Sequence, residues 1–241
     1  MQLHFDNDIY NSNNSDEMWP IVTWVVAEKR NSYFCTVFKK KKMTEQRNFD
    51  WGNVYKNIKI TEMPWYNPDL DEDLKNSLDK LGLNSGTFLD IGTGPATQAN
   101  KLAERGFEVT GTDISEDAIL LAKQAYTTIE FIQDDILKTN LTKKFDFIFD
   151  RGCFHVIDED KRETYANKVF NLLNDSGLLF LKCFSDKMPE TGIGPHRISE
   201  KIIRETFEGK FFITEIKDTE FKDNAPRTPK ALFVVMKRRF E

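Results

Sequence analysis

Between Pro68 and Met236 the chain alternates helical and strand-like apolar periodicities, and this alternation constrains its fold more than any other feature. Leu70, Leu74, Leu78 and Leu81 recur at spacings of four, four and three, which predicts one apolar stripe of a helix that stops at Gly82. Thr87 to Ile91 predicts a short strand, Pro95 to Arg105 a helix through Ala96, Ala99, Leu102 and Ala103 closed by Gly106, and Phe107 to Thr112 the next strand. Ser115 offers an N-cap, with Glu116 and Asp117 in the first turn, for a helix that carries Ile119, Ala122 and Tyr126 inward. Strands are expected at Ile129 to Gln133 and Phe145 to Phe149, then a helix over Asp160 to Leu173 that stops before the turn Asn174-Asp175-Ser176-Gly177. Leu178 to Phe184 reads as an almost unbroken apolar strand, the kind buried on both faces. A helix over Ser199 to Phe207 and strands near Phe211 to Ile216 and Ala231 to Met236 complete the series. Only a loop joins the last two strands, so they are expected to pair antiparallel. The result is an α/β architecture: a doubly wound, mostly parallel seven-stranded sheet with an antiparallel last strand.

Composition narrows the partners. With 241 residues, 39% hydrophobic and 30% charged, the chain carries one generous globular domain or one domain with an attachment. A net charge of −5 gives no general attraction to phosphate backbones or anionic lipid, so nucleic acid is not the expected partner. No apolar run approaches the ~18 residues of a membrane span. Cys35, Cys153 and Cys183 lie far apart, as do His4, His155 and His196, so neither a disulfide framework nor a metal site is read, and a cytoplasmic, reducing location is expected.

Residues 1–42 differ from the rest, opening on an Asn, Ser and Asp-rich stretch and closing on Lys39 to Lys42. They are expected to form a poorly structured N-terminal extension. Met43 follows the lysines directly, so translation is expected to be able to start there; N-terminal mass spectrometry of native protein beginning at Met1 or Gln2 would exclude that.

The chemistry begins at Phe88-Leu89-Asp90-Ile91-Gly92-Thr93-Gly94-Pro95, where a strand runs into a glycine turn and then a helix. Ligands of doubly wound folds lie beyond the carboxyl ends of the strands, where such turns sit. Asp113 ends the second strand about 20 residues on, where an acid can accept hydrogen bonds from ribose hydroxyls. A dinucleotide site would want a small residue at the position of Thr97, and Asp90 would repel a pyrophosphate. A cationic ligand suits Asp90 better.

These residues resemble the class I S-adenosylmethionine (AdoMet)-dependent methyltransferases over about Pro64 to Arg238, which implies a Rossmann-like domain at 68–241 and AdoMet as cofactor. The resemblance implies that Asp90, Gly92 and Gly94 form the nucleoside turn, with Ala96 where the family often has a third glycine. It makes Asp113 the ribose acid with Ile114 beside it. It also implies that Asp135 reaches the adenine amino group and the Ile136 N–H the ring. The segment Asp150-Arg151-Gly152-Cys153-Phe154-His155 resembles the tellurite-resistance and thiopurine (thiol) methyltransferase branch, as does Met63-Pro64-Trp65-Tyr66. By that likeness 43–67 covers the cofactor, Trp65 is a residue of the cover, and Asp150 lies on the cofactor side.

The fourth strand then meets the acceptor, with Arg151 and His155 as the candidate catalytic residues. Arg151 either contacts the acceptor or pairs with Asp150 or Asp146, and His155 is either a general base or the cap of the next helix. Cys153 reads as a packed residue. Glycine-containing Ser185 to Arg197, with His196 and Arg197, is either where acceptor choice resides or a solvated connector. In-line transfer to a small acceptor is expected, and a thiol with a reference pKa near ~8.5 needs little help from a base. Three other readings stay open: an NAD-dependent oxidoreductase, a methyltransferase of protein or nucleic acid, and a non-catalytic AdoMet-binding module.

Overall fold

Residues 51–188, 195–222 and 228–240 are described in the computed structural model, and within them the alternation closes into one seven-stranded sheet. The expected extension 1–42 lies outside the described residues. The strands are β1 (Thr87–Ile91), β2 (Glu108–Asp113), β3 (Glu130–Gln133), β4 (Phe145–Arg151), β5 (Leu173–Phe184), β6 (Phe211–Glu220) and β7 (Lys230–Arg238), in the order β3-β2-β1-β4-β5-β7-β6. Strands β1 to β5 run parallel, while β7 is antiparallel to both β5 and β6. Strand order reverses between β1 and β4. The ligand crevice of such a sheet therefore opens at the carboxyl ends of these two strands.

Among the described residues six helices accompany the sheet: α1 (Trp51–Asn57), α2 (Glu72–Leu81), α3 (Thr97–Glu104), α4 (Glu116–Ala125), α5 (Arg162–Leu172) and α6 (Glu200–Phe207). Local signals explain their ends. Asp71, Ser115 and Ser199 accept hydrogen bonds from the N–H groups of Asp73, Ala118 and Ile202, and Gly82 ends α2 in the left-handed region at φ 66°. One sheet face packs Phe88, Phe147, Phe149, Phe180 and Phe233 against Leu74 and Leu78 of α2, with Ala99 and Leu102 of α3 alongside. Its aromatic rings meet at 5.2 to 6.5 Å. Each buried phenylalanine stabilises the fold by roughly 1.5 to 3 kcal/mol. The other face buries Phe154, Tyr165, Phe207 and Phe211 beneath α5 and α6.

Four details depart from the expected elements. Helix α3 starts at Thr97 because Ala96 sits at φ 60°, still in the turn. A 3-10 turn, Glu159–Lys161, precedes α5, which starts at Arg162. Tyr126 ends α4 as its C-cap. The expected turn 174–177 lies within β5: Phe145 pairs with Leu173 and Phe147 with Leu178, so the four residues between are passed over and Ser176 adopts φ 65°. Turn chemistry acts locally there while β4 pairs with the chain on both sides of it. Among the described residues no helix is long and apolar enough to cross a membrane.

Candidate active site

The turn after β1 is held by its own acids. Asp90, 2% exposed, accepts a 2.6 Å hydrogen bond from the Thr93 hydroxyl. Burial pushes its carboxyl up to about 7, and Asp150 and Asp113 nearby add to the rise. Asp113 at the end of β2 accepts from the Gly94 N–H through one oxygen and from the Ser115 N–H through the other, both at 2.9 Å. One carboxylate thus fixes both the glycine turn and the start of α4. Its pKa is raised by burial, against the pull of these same backbone donors.

Space above the turn is set by what a side chain would meet. Gly94 has φ 51°, and a Cβ there would stand 2.6 Å from the Tyr55 hydroxyl. A Cβ on Gly92 would stand 3.3 Å from that of Cys153, so the turns after β1 and β4 approach closely. Tyr55 belongs to a cover built from α1 and the segment after it. Trp51 and Tyr55 stand edge-on to Trp65 at 5.7 and 6.4 Å, and the cover packs through Met63 onto Ala118 and Leu121 of α4. Tyr55 lies on a stripe that the sequence does carry, Trp51, Val54, Tyr55 and Ile58 at i, i+3, i+4 and i+7, but one too short to be marked by periodicity alone.

Other expected residues fall around the same crevice. Ile114 is 54% exposed beside Asp113. Asp135 accepts from the Leu137 N–H at 3.0 Å and pairs with Lys138 at 3.3 Å, while the Ile136 side chain packs in the core. The charges of Asp113, Asp135 and Asp150 all act on Cys153, whose thiol is pushed well up, first by burial. That suits a packed residue and not a nucleophile.

Three expected site residues are bound into the protein. Asp150 is fully buried: its oxygens accept from the N–H groups of Cys153 and Phe154 and from the Tyr165 hydroxyl, so it caps the turn after β4.

His155 is 7% exposed, stacks on Phe184 at 4.2 Å, and accepts the Phe184 N–H at Nδ1 over 3.0 Å. Burial first, then the charges of Arg197, His196 and Arg151, hold its pKa down to about 3. The neutral ring therefore carries its proton on Nε2 and offers a donor where a general base was expected.

Arg151 pairs with neither Asp150 nor Asp146. Its Nε donates to Asp71 at 2.9 Å and a terminal nitrogen donates to the Trp65 carbonyl at 3.3 Å, with the guanidinium 5.1 Å from the Phe221 ring centre. The side chain is 7% exposed and is committed to the protein. Of the Ser185 to Arg197 loop, residues 189–194 lie outside the described residues. His196 donates its N–H to the His155 carbonyl at 2.7 Å, and Arg197 lies over Phe184 at 5.1 Å.

Comparison with known proteins gives the family and the fold. Residues 88–177 match the family described as a methyltransferase domain. An uncharacterised methyltransferase of Schizosaccharomyces pombe is 34% identical over 115 residues, which cover 46% of this chain and 79% of that protein. Thiocyanate methyltransferase 1 of Arabidopsis thaliana is 28% identical over 48% of this chain and 54% of that protein. A structure solved in work on the conversion of a disulfide bond into a thioacetal group during echinomycin biosynthesis superposes with a TM-score of 0.67 at 22% identity, over 78% of this chain and 90% of that one.

Proposed function

Because this chain belongs to the class I AdoMet-dependent methyltransferases, we propose that it methylates a small, thiol-like acceptor by direct in-line transfer. AdoMet, the cofactor of the family, supplies an electrophilic methyl group on a sulfonium. The residues present fit it: a glycine turn that no side chain could occupy beneath Tyr55, a carboxyl at Asp90 suited to a cationic group, and Asp113 anchored at the turn. Asp113 would take the ribose, Ile114 and Asp135 with the Ile136 N–H the adenine, and Asp90, Gly92 and Gly94 the amino-acid end. Trp65 and Tyr55 would close over it and exclude water.

One observation carries the acceptor class: the end of β4 is closed by a cluster of buried rings. His155 stacks on Phe184, Phe221 stands edge-on to Phe184 at 5.2 Å, and Phe221 is 3% exposed. Such a close-packed aromatic cluster suits a small nucleophile. His155 holds a proton on Nε2 and offers no base, which favours an acceptor that ionises readily; a thiol near ~8.5 does so and a hydroxyl does not. The relative from Arabidopsis thaliana is named for thiocyanate, a small sulfur nucleophile. The alternatives of protein, nucleic-acid or purely AdoMet-binding function are decided by the same assay. Labelled methyl from AdoMet is offered to small thiols, selenols, tellurite and carboxylates, with protein and nucleic acid in parallel. Label on a thiol or selenol is expected, and label confined to macromolecules, or to nothing, would overturn the reading.

Tyr55→Phe removes a hydroxyl that faces Gly94 and hydrogen-bonds with the Trp65 side chain. We predict AdoMet binding roughly 3- to 10-fold weaker, as for one net hydrogen bond, with a small loss of thermal stability. Calorimetry giving wild-type affinity would place that hydroxyl outside the cofactor's reach.

A further inference from the structure

Strands β4 and β5 carry an unexpected pair of cations. On the face covered by α2, β4 presents Phe147 and Phe149 and β5 presents Leu178 and Phe180, all packed with Leu74 and Leu78. The next position on each strand is Arg151 and Lys182, which are paired in register. Two like charges side by side at a sheet face repel each other, and both side chains are withdrawn from water, at 7% and 2% exposure.

The start of α2 neutralises them. Lys182 Nζ reaches the Asp71 oxygens at 2.9 and 3.1 Å and Asp73 at 2.7 Å, and Asp71 also takes the Arg151 bond. Lys217 at 2.8 Å and the Thr219 hydroxyl at 2.6 Å complete Asp73 from β6. Lys182 lies 5.4 Å from the centre of the Phe221 ring.

Stability alone gives a poor reason for this arrangement. Continuing the phenylalanine ladder would bury apolar rings at both places, and buried ion networks are commonly no more stable than such replacements. What the network does hold is the cover. Asp71 caps α2 immediately after the covering segment, and its N–H donates to Gln98 of α3 at 2.8 Å, so it is fixed from three sides. Arg151, gripped by Asp71, donates onward to the carbonyl of Trp65. Trp65 stands against Tyr55, and Tyr55 stands over Gly94. Contact therefore runs unbroken from the acceptor ends of β4 and β5 to the roof of the cofactor turn.

We propose that Asp71 and Lys182 are positioning residues for methyl transfer: they hold Arg151 so that its guanidinium fixes the Trp65 carbonyl, and with it the aromatic cover over the cofactor. Nothing in this depends on the acceptor's identity.

The test uses the full chain. Asp71→Asn keeps the shape and the capping oxygen while removing the charge that grips Arg151 and Lys182. Release of S-adenosylhomocysteine, followed by stopped-flow fluorescence, is expected to accelerate at least tenfold. Hydrogen exchange in the ligand-free protein is expected to rise in 51–66 and not in β1, β4 and β5. Lys182→Met should act likewise and Lys182→Arg should largely restore slow release, a rescue that an unspecific packing role would not give. A folded Asp71→Asn protein with wild-type release and a wild-type cover overturns the proposal. Should Asp71→Asn fail to fold, Arg151→Lys takes its place: it keeps every charge but loses the fork that serves two partners at once. Wild-type release by that variant overturns the proposal equally.

Discussion

Asp113→Ala is expected to lower AdoMet affinity at least 100-fold and to destabilise the free protein by about 2 to 4 kcal/mol. Losing bonds to the ribose alone would account for ~1 to 3 kcal/mol of binding. The larger figure follows from what else this carboxylate holds. It receives the N–H groups of Gly94 and Ser115 at 2.9 Å each, so its removal leaves two buried donors unpaired, each costing about 1 to 3 kcal/mol before water enters. Gly94 is then free to leave the conformation that keeps Tyr55 above it, and the cofactor turn loses its shape together with its acid. Asp113→Asn should be almost as harmful, because one side of the amide would point N–H groups at a backbone N–H. Calorimetry and thermal unfolding of both variants check this. A loss of stability with unchanged AdoMet affinity would move the ribose elsewhere.

Asp113 and Asp150 differ in how much of their surroundings the sequence discloses. Asp113 is marked by local order: a glycine turn, a strand, and an acid about 20 residues on, all imposed by one strand-helix-strand unit. Caps at Asp71, Ser115 and Ser199 act through bonds to residues two or three positions away, and they too are readable. Asp150 sits at an equivalent strand end, yet its role depends on Tyr165, which comes from another element. Arg151 finds its partner 80 residues upstream, at a distance no periodicity reports. Lys182 was hidden most thoroughly. It lies inside a run that reads as one buried apolar strand, and only the sheet's register sets it beside Arg151 and under α2.

Asp90→Asn is expected to raise the stability of the free protein while weakening AdoMet by roughly 10- to 150-fold, both effects being largest above pH 7. The folded protein holds the Asp90 proton up to about 7, against an ordinary carboxylate value of 3.8. Between about pH 4 and 7 the unfolded chain has therefore released a proton that the folded chain retains. Stability contributed by this group falls as pH rises through that window and levels off above it. Asparagine keeps the shape, and its carbonyl still accepts the Thr93 hydroxyl, without the cost of a buried charge. The gain at pH 8 should be about 1 to 3 kcal/mol, below the on the order of 4 kcal/mol that the full shift allows, and should vanish near pH 4. Asp150, raised to about 6, titrates in the same window, so the difference between variant and wild type, not the wild-type slope, isolates Asp90. Binding runs the other way. A cationic ligand favours the ionised carboxyl, so wild-type affinity should climb from pH 5.5 to a plateau above 7, while the variant stays flat and weak, lacking a charged hydrogen bond of ~1.5 to 3 kcal/mol. Calorimetry and thermal unfolding across pH 5.5 to 8.5 measure both trends. A wild-type affinity indifferent to pH, or a variant less stable than wild type at pH 8, would mean that Asp90 neither holds its proton in the free protein nor meets the positive end of the cofactor.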